Sequence, residues 1–407
     1  MRIIMALYAF DGTGDRWNPG NRWNLKDLRK LNDVQKNELL NTITPEAKTD
    51  KGRYLTNVVF FYKEYVKSGL HAEYFPGVGS GAWFVTQTGK MLDFIFGGAF
   101  GIGALGIVKD AFEKLKKNFK EGDYDIDIIG YSRGAAIARM FADKIFKDYS
   151  HLVGQRGNPL FDKKAQPTID KNGELKPLLP IIDENGKLNS PPPIRFVGLY
   201  DTVASFGIPF NENELFFQHV LPRTVENAFH AMSIDLSRLG FGIDRAYGVN
   251  VLEVWFRGGH GDIGGNSALS KSGKPNRGRT NITLNFMLKK AKAVGISLNF
   301  NALDYPTNIN AEIIVDDDIL DKLTKKDLSR QERKYDVFHH SFFGENGLEI
   351  PLKGGKNFDP PLDRNKLVIE EVINESEISD QRLLQLTPKL SKRFPNNQMI
   401  YDLLHES

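Results

Sequence analysis

The residues best suited to chemistry form a short glycine-flanked serine motif, GYSRG at residues 130–134. The motif follows an apolar run that ends at Ile129 and precedes a helical pattern, and this strand–turn–helix setting is typical of a nucleophile elbow. The turn in such an elbow is so tight that side chains at Gly130 and Gly134 would clash. Ser132 is therefore predicted to project from the sheet as a nucleophile; the alternative is a serine that only caps the helix.

A serine nucleophile needs a base to take its proton, and the base needs a group that orients it. In hydrolases with this elbow the chain order is serine, acid, histidine. Asp201 directly follows the apolar run 195–200, and His260 follows the run 251–256 within the loop GGHGDIGG. Because order, residue type and position after a strand all agree, Asp201 and His260 are predicted to be the acid and the base that serve Ser132.

Other residues could fill these two roles. Among the eight histidines, His230 is the alternative base, although its surroundings indicate a helix position and a structural hydrogen bond. Asp262 is the alternative acid, although on the same turn as His260 it more naturally binds the backbone of its own loop. Asp235 is a third candidate for the acid.

Acyl transfer also requires N–H donors for the oxyanion that develops on the substrate. The loop DGTGD follows the first apolar run, and its two glycines allow the backbone to turn N–H groups inward. We expect the N–H groups of Gly12, Thr13 and Arg133 to be these donors. The loop is not expected to bind nucleotide phosphate, since no G-x-x-x-x-G-K-[ST] occurs and Asp11 would repel a phosphate. A metal shared by Asp11 and Asp262 is a further alternative.

The elements that must position these residues are continuous apolar runs separated by helical patterns. Such runs suit strands that are covered on both faces of a parallel sheet. The predicted strands are residues 3–10, 58–62, 126–129, 195–200 and 251–256, and the predicted helices are residues 107–119, 135–145 and 280–294. This alternation predicts an α/β fold with an open, mostly parallel sheet and helices on both faces.

Two regions interrupt the alternation. Residues 154–193 are polar and proline-rich, which indicates a surface insertion. Beyond about residue 300 the chain becomes charged and lacks strong strand signals. We therefore expect a catalytic domain over residues 1–300 and a C-terminal appendage over residues 301–407.

Composition excludes several classes of protein. The chain has 54 Lys and Arg against 51 Asp and Glu, and a net charge of +3 gives no support to a nucleic-acid binder that neutralises phosphates. Because there is no cysteine, disulfides, zinc thiolate sites, iron–sulfur clusters and cysteine nucleophiles are excluded. The N-terminus lacks the pattern of a signal peptide, so export by the general secretory route is not expected. Neither a cofactor nor a metal is expected.

Six motifs together resemble those of a bacterial and fungal α/β-hydrolase domain family. Its best-understood members are the first family of phospholipase effectors delivered by type VI secretion systems. The motifs follow the family's order over roughly residues 1–300 and are FDGTG (10–14), YFPGVG (74–79), GYSRGAA (130–136), YDTV (200–203), HAMSID (230–235) and GHGDIGG (259–265). In that family the elbow serine, the aspartate of D-T-V and the histidine of G-x-H-x-D-[IV]-G-G form the triad. Carried over, these are Ser132, Asp201 and His260.

The resemblance implies an α/β-hydrolase fold and hydrolysis of acyl esters of membrane glycerophospholipids, of the phospholipase A type. It also implies an antibacterial toxin that is cytoplasmic in the producer, is secreted without a signal peptide and acts at the periplasmic face of the target-cell membrane. The implied partners are membrane phospholipid, an immunity protein and a component of the secretion system. In the family a third glycine usually follows Gly265, whereas this chain has Asn266.

Alternatives remain open at this point. The same three residues would serve a carboxylesterase that acts on soluble esters, and the scaffold could instead be a non-catalytic binding module. The apolar segments 89–108 and 206–221 could form a lid or acyl channel, or they could pack as ordinary core.

Overall fold

The structure, a computed structural model, describes residues 5–19, 31–49, 52–80, 97–153, 186–188, 190–204, 220–235, 243–248, 250–266, 277–313, 337–339 and 368–369. The strands are β1 (Met5–Phe10), β2 (His71–Phe75), β3 (Asp125–Tyr131), β4 (Phe196–Tyr200), β5 (Ala228–Ser233), β6 (Val251–Phe256), β7 (Val337–His339) and β8 (Val368–Ile369). The helices are α1 (Asp33–Leu40), α2 (Asn57–Lys67), α3 (Gly97–Lys120), α4 (Arg133–Asp148), α5 (His260–Gly264) and α6 (Arg277–Ala293).

The eight described strands form one sheet in the order β2-β1-β3-β4-β5-β6-β7-β8, and every neighbouring pair is parallel. The central strands β4 and β5 are buried along their whole length, as continuous apolar runs predict for a sheet covered on both faces. The expected α/β architecture, with a parallel sheet and helices on both faces, is confirmed.

Each face of the sheet has its own hydrophobic core, because successive side chains of a strand point to opposite faces. On β1, Leu7 and Ala9 belong to the core that α2 and α6 cover. Ala6, Tyr8 and Phe10 belong to the core that α3 and α4 cover. The predicted helices 107–119, 135–145 and 280–294 correspond to α3, α4 and α6, although α3 begins ten residues before the predicted start.

The predicted strand at residues 58–62 is wrong, because this segment lies inside α2. All five side chains are buried, since α2 packs against both the sheet and α6. A run of five apolar residues does not distinguish a buried helix from a buried strand. The setting expected for His230 is also wrong, because this residue lies in β5 and not in a helix.

The sheet continues into the part of the chain that was expected to be a C-terminal appendage. Strands β7 and β8 lie at residues 337–339 and 368–369 and extend the sheet beyond β6. Most of the expected insertion at 154–193 and of the apolar segment 206–221 lies outside the described residues, whereas residues 97–108 of the other apolar segment form the first half of α3. None of the described helices has the length and apolarity that a membrane span requires.

The sheet topology brings the predicted site residues to one edge. From β1 the sheet is extended on one side by β2 and on the other side by β3, so the strand order reverses between β1 and β3. In open α/β sheets, ligands bind at such a reversal, beyond the carboxyl ends of the strands. Ser132 follows β3, Asp201 follows β4 and His260 lies four residues after the end of β6. All three therefore lie at the carboxyl edge of the sheet.

Candidate active site

Ser132 occupies the tight turn between β3 and α4, with φ 56° and ψ −125°. Among the described residues, Ser132 and Asp201 are the two non-glycine residues with a positive φ, at 56° and 42°. Such backbone conformations cost about 1–3 kcal/mol each and persist where surrounding structure enforces them. Here the Ser132 N–H donates to the carbonyl of Tyr200 at 2.9 Å, which ties the strained turn to the end of β4.

The two glycines of the motif are required by close approach of other backbone. A Cβ at Gly130 would lie 2.5 Å from the carbonyl oxygen of Gly134, and one at Gly134 would lie 2.4 Å from the carbonyl oxygens of Phe10 and Asp11. The elbow therefore packs directly against the loop that follows β1. This contact brings together the two loops that were predicted to supply oxyanion donors.

His260 links the serine to the acid. Its Nε2 lies 2.9 Å from Ser132 Oγ, and its Nδ1 lies 2.6 Å from Asp201 Oδ2. The ring of Tyr131 packs against the imidazole with 4.8 Å between the ring centroids. The Tyr131 hydroxyl oxygen also lies 3.3 Å from the carbonyl oxygen of His260, so Tyr131 contacts both the backbone and the ring of His260.

Asp201 is fully buried, and both of its carboxylate oxygens have assigned partners. Oδ1 accepts the backbone N–H of Ser233 at 2.8 Å, whereas Oδ2 faces His260. The Asp201 N–H itself donates to the carbonyl of Ala231 at 2.8 Å. The acid is thus fixed by the neighbouring strand β5 with one oxygen left for the imidazole.

The hydrogen-bonded chain Ser132–His260–Asp201 has the chemistry of an activated nucleophile. An imidazole with Nδ1–H directed at a carboxylate presents a lone pair on Nε2, which can accept the serine proton as Oγ attacks a carbonyl carbon. The carboxylate stabilises the imidazolium that forms. The structure therefore brings together the three residues that the sequence predicted, in the order of contacts that acyl transfer requires.

The predicted oxyanion donors differ in their surroundings. The Gly12 N–H donates to Asp11 Oδ1 at 2.8 Å and is engaged there in this conformation. The Thr13 carbonyl accepts from Arg53 at 2.9 Å, and its hydroxyl oxygen accepts from the Arg133 guanidinium at 2.9 Å. The Arg133 side chain thus binds the elbow to the β1 loop.

Asp11 holds the β1 loop in place. Its carboxylate is buried and accepts from the Tyr74 hydroxyl at 2.6 Å and from the Thr56 hydroxyl at 2.7 Å, besides the Gly12 N–H. Burial raises the pKa of Asp11, and these hydrogen bonds act against that rise. Within the residues that the structure describes, no group of three or more His, Asp or Glu side chains is arranged to hold a metal ion.

The alternative site residues have structural partners. Asp262 Oδ2 accepts the Gly259 N–H at 3.0 Å, so Asp262 binds the backbone of its own turn. Asp235 pairs with Arg257 at 2.8 Å and accepts the Gly258 N–H at 2.7 Å.

His230 is likewise occupied at both ring nitrogens. Nε2 lies 3.1 Å from the Thr202 N–H nitrogen, and Nδ1 lies 2.9 Å from Glu253 Oε1. The structure thus places His260, and not the alternative His230, against Ser132.

Two contacts of the site were missed by the sequence reasoning. Ser233 orients Asp201 through its backbone N–H, and its hydroxyl donates to the Gly258 carbonyl at 2.7 Å. Asn266 accepts from the Tyr131 hydroxyl at 2.9 Å and donates to Asp15 Oδ2 at 2.9 Å, which connects the histidine loop to the β1 loop. The only sequence signals were the position of Ser233 within HAMSID and the departure from glycine at residue 266.

Comparison with known proteins gives one family. A profile for the catalytic domain of Tle1-like phospholipase effectors of the type VI secretion system matches residues 42–290. Ser132, Asp201 and His260 lie inside the matched range, whereas Gly12 and Thr13 precede it. A comparison with curated proteins gives no match.

Two solved structures are similar to the chain. One is an uncharacterized protein from Pseudomonas aeruginosa, with 17% identity and a TM-score of 0.38 over 75% of this chain and 48% of that chain. The other is the Tle1 effector bound to the VgrG spike of the type VI secretion system, with 18% identity and a TM-score of 0.34 over 66% of this chain and 52% of that chain. The chain spans about half the length of these two proteins.

Proposed function

The chain belongs to the Tle1-like phospholipase effector family of the type VI secretion system, and we propose that it is a serine hydrolase that cleaves acyl esters of membrane glycerophospholipids. One observation carries the serine mechanism. The strained Ser132 is hydrogen-bonded to His260, which is hydrogen-bonded to the buried Asp201, at the carboxyl edge of a parallel sheet. Family membership supports phospholipid as the substrate class.

In the proposed acylation step, His260 Nε2 accepts the proton of Ser132 while Oγ attacks the carbonyl carbon of the ester. The resulting oxyanion is stabilised by the backbone N–H groups of Arg133 and Thr13. Collapse breaks the bond to the alcohol oxygen, which takes the proton from His260 and leaves as a lysophospholipid. Asp201 stabilises the imidazolium in both directions.

In the proposed deacylation step, His260 removes a proton from water, and the hydroxide attacks the acyl ester on Ser132. The bond between Oγ and the acyl carbon breaks, Ser132 regains its proton from His260, and free fatty acid leaves. The net reaction is hydrolysis of one acyl ester, which is phospholipase A-type activity and requires no cofactor.

Family membership supports a proposed cellular setting. The protein would be held in the cytoplasm of the producing cell beside an immunity protein. A component of the secretion system would then carry it to the periplasmic face of the target-cell membrane. There a membrane phospholipid is the substrate.

We expect the full chain to release fatty acid and lysophospholipid from unilamellar phospholipid vesicles faster than it cleaves a soluble short-chain ester at equal ester concentration. The reason is that a long acyl chain contributes about 0.8 kcal/mol of binding for each methylene that it buries. Fatty acid and lysophospholipid are measured by mass spectrometry, and the lysophospholipid identifies the acyl position.

Other outcomes of this experiment distinguish the alternatives. Efficient cleavage of soluble esters alone would replace the phospholipase by a carboxylesterase. Absence of hydrolysis by the folded chain on both substrates would favour a non-catalytic binding module.

A further inference from the structure

A second histidine–carboxylate pair lies within the sheet next to the proposed acid. His230 on β5 and Glu253 on β6 are register partners, and His230 Nδ1 lies 2.9 Å from Glu253 Oε1. His230 is fully buried. Glu253 also accepts from Arg245 at 2.5 Å and from the Ala246 N–H at 2.8 Å, so its carboxylate is held in a fixed orientation.

The contacts of His230 determine which ring nitrogen carries the proton. The backbone N–H of Thr202 donates to His230 Nε2 at 3.1 Å, and the hydroxyl oxygen of Thr202 lies 3.1 Å from the same nitrogen. Nδ1 faces a carboxylate oxygen of Glu253, which can only accept, so the proton of the neutral ring lies on Nδ1 and Nε2 presents a lone pair to Thr202. Burial lowers the pKa of His230, and the hydrogen bond and charge of Glu253 act in the opposite direction.

The hydrogen bond to Thr202 acts on the backbone of Asp201. The N–H of Asp201 is held by the Ala231 carbonyl at 2.8 Å, and the next N–H, that of Thr202, is held by His230. The plane of the peptide between Asp201 and Thr202 turns with ψ of Asp201, so His230 fixes that angle. With φ at 42°, Asp201 has an unfavourable backbone that needs such anchors on both sides.

The next two backbone N–H groups after Thr202 are held by other partners. The Val203 N–H donates to the carbonyl of Ser132 at 3.3 Å, and the Ala204 N–H donates to the carboxylate of Asp244. Thr202, directly after the proposed acid Asp201, is therefore the residue of this loop whose N–H is held by a side chain of the central sheet, that of His230.

We propose that His230 is a positioning residue for the reaction: with its tautomer set by Glu253, it holds the Thr202 N–H and thereby keeps the Asp201 carboxylate aligned with His260. This inference rests on the proposed serine hydrolase function. His230 does not contact Ser132 and acts through the backbone of Asp201.

Two substitutions of similar size separate this role from simple packing. In His230→Asn the side-chain NH2 takes roughly the place of Nδ1–H and can still donate to Glu253, but no acceptor reaches Thr202. In His230→Gln the amide oxygen takes roughly the place of Nε2 and can still accept from Thr202. We expect His230→Asn to lower kcat by about 10- to 100-fold with KM nearly unchanged, because a misplacement of about 1 Å has effects of this size.

His230→Gln is the control for His230→Asn, because it restores the acceptor for the Thr202 N–H. We expect His230→Gln to stay within about tenfold of the wild-type kcat on phospholipid vesicles, because the acceptor for the Thr202 N–H is retained and Asp201 is displaced by much less than about 1 Å. The midpoints of thermal unfolding are measured for both variants. Equal kcat for His230→Asn and wild type would overturn the proposal, and so would equal losses in both variants that follow their losses of stability.

A second readout does not depend on activity. In the full chain labelled with ¹⁵N-histidine, two-bond NMR correlations report the tautomer of each ring, and His230 is expected to be neutral with its proton on Nδ1. A proton on Nε2 would overturn the proposal. Failure of wild type to hydrolyse any ester would instead contradict the proposed function, so the two failures are distinguishable.

Discussion

Ser132→Ala is expected to lower kcat for ester hydrolysis by at least about a thousandfold, because removal of a triad member eliminates the covalent route and leaves only oxyanion stabilisation and binding. The substitution removes one oxygen atom from a side chain that is 4% exposed, and alanine meets the same backbone conformation, φ 56°, as serine. His260, Asp201 and the backbone N–H donors stay in place. The variant should therefore fold normally and still bind vesicles.

Rates of fatty acid release from phospholipid vesicles check this prediction, with unfolding midpoints to verify the fold. Ser150→Ala is the matched control, because Ser150 is an exposed serine outside the site. The control should retain the wild-type rate. If Ser132→Ala kept more than about a tenth of the wild-type rate, Ser132 would not be the nucleophile, since a triad member accounts for far more than tenfold.

Asp201→Asn is expected to lower kcat by about 10⁴-fold, which is the size of effect that a wrong histidine tautomer has in a serine triad. The structure gives a specific reason. The Ser233 N–H can only donate, so the amide oxygen of the new asparagine must face Ser233, and its NH2 group must then face His260 Nδ1. The imidazole is thereby forced to carry its proton on Nε2, where it cannot accept the proton of Ser132.

Asp262→Asn is the matched control for this substitution. Asp262 is buried and accepts the Gly259 N–H through one oxygen, and asparagine retains an acceptor for that bond. Its kcat should fall far less than that of Asp201→Asn. A larger loss in Asp262→Asn than in Asp201→Asn would move the role of the acid to Asp262.

The sequence was sufficient to predict where the three candidate site residues lie, because each of them follows a strongly apolar strand. Ser132, Asp201 and His260 come after β3, β4 and β6, and parallel strands end at one edge of the sheet. Residue type and spacing therefore predicted their proximity without knowledge of the strand order. Their hydrogen-bonded contacts agree with that prediction, and their catalytic roles are the subject of the substitutions above.

The sequence was less informative where burial hides the periodicity. The run at residues 58–62 is apolar at every position, and it lies in the part of α2 whose side chains are all buried. Strand β5 has the opposite difficulty, since its polar His230 and Ser233 lie in a fully buried strand. Their side chains are tolerated because each has a partner on a neighbouring loop or strand.

The supporting contacts depend on strand register, which spacing along the chain does not determine. Tyr200 is paired with Ala231, and this register brings the Ser233 N–H to the carboxylate of Asp201. His230 meets Glu253 only because β5 and β6 are aligned at that pair. The positions of Ser233, His230 and Asn266 around the site therefore required the structure.

The most direct test of the serine mechanism is covalent capture of the nucleophile with a long-chain alkyl fluorophosphonate. Ser132 Oγ attacks the phosphorus, fluoride leaves, and His260 takes the serine proton. Peptide mass spectrometry should find a single adduct on the peptide that contains Ser132, with no adduct in Ser132→Ala and greatly slowed labelling in Asp201→Asn. A stoichiometric adduct on another residue, or none on folded chain that hydrolyses esters, would contradict the account.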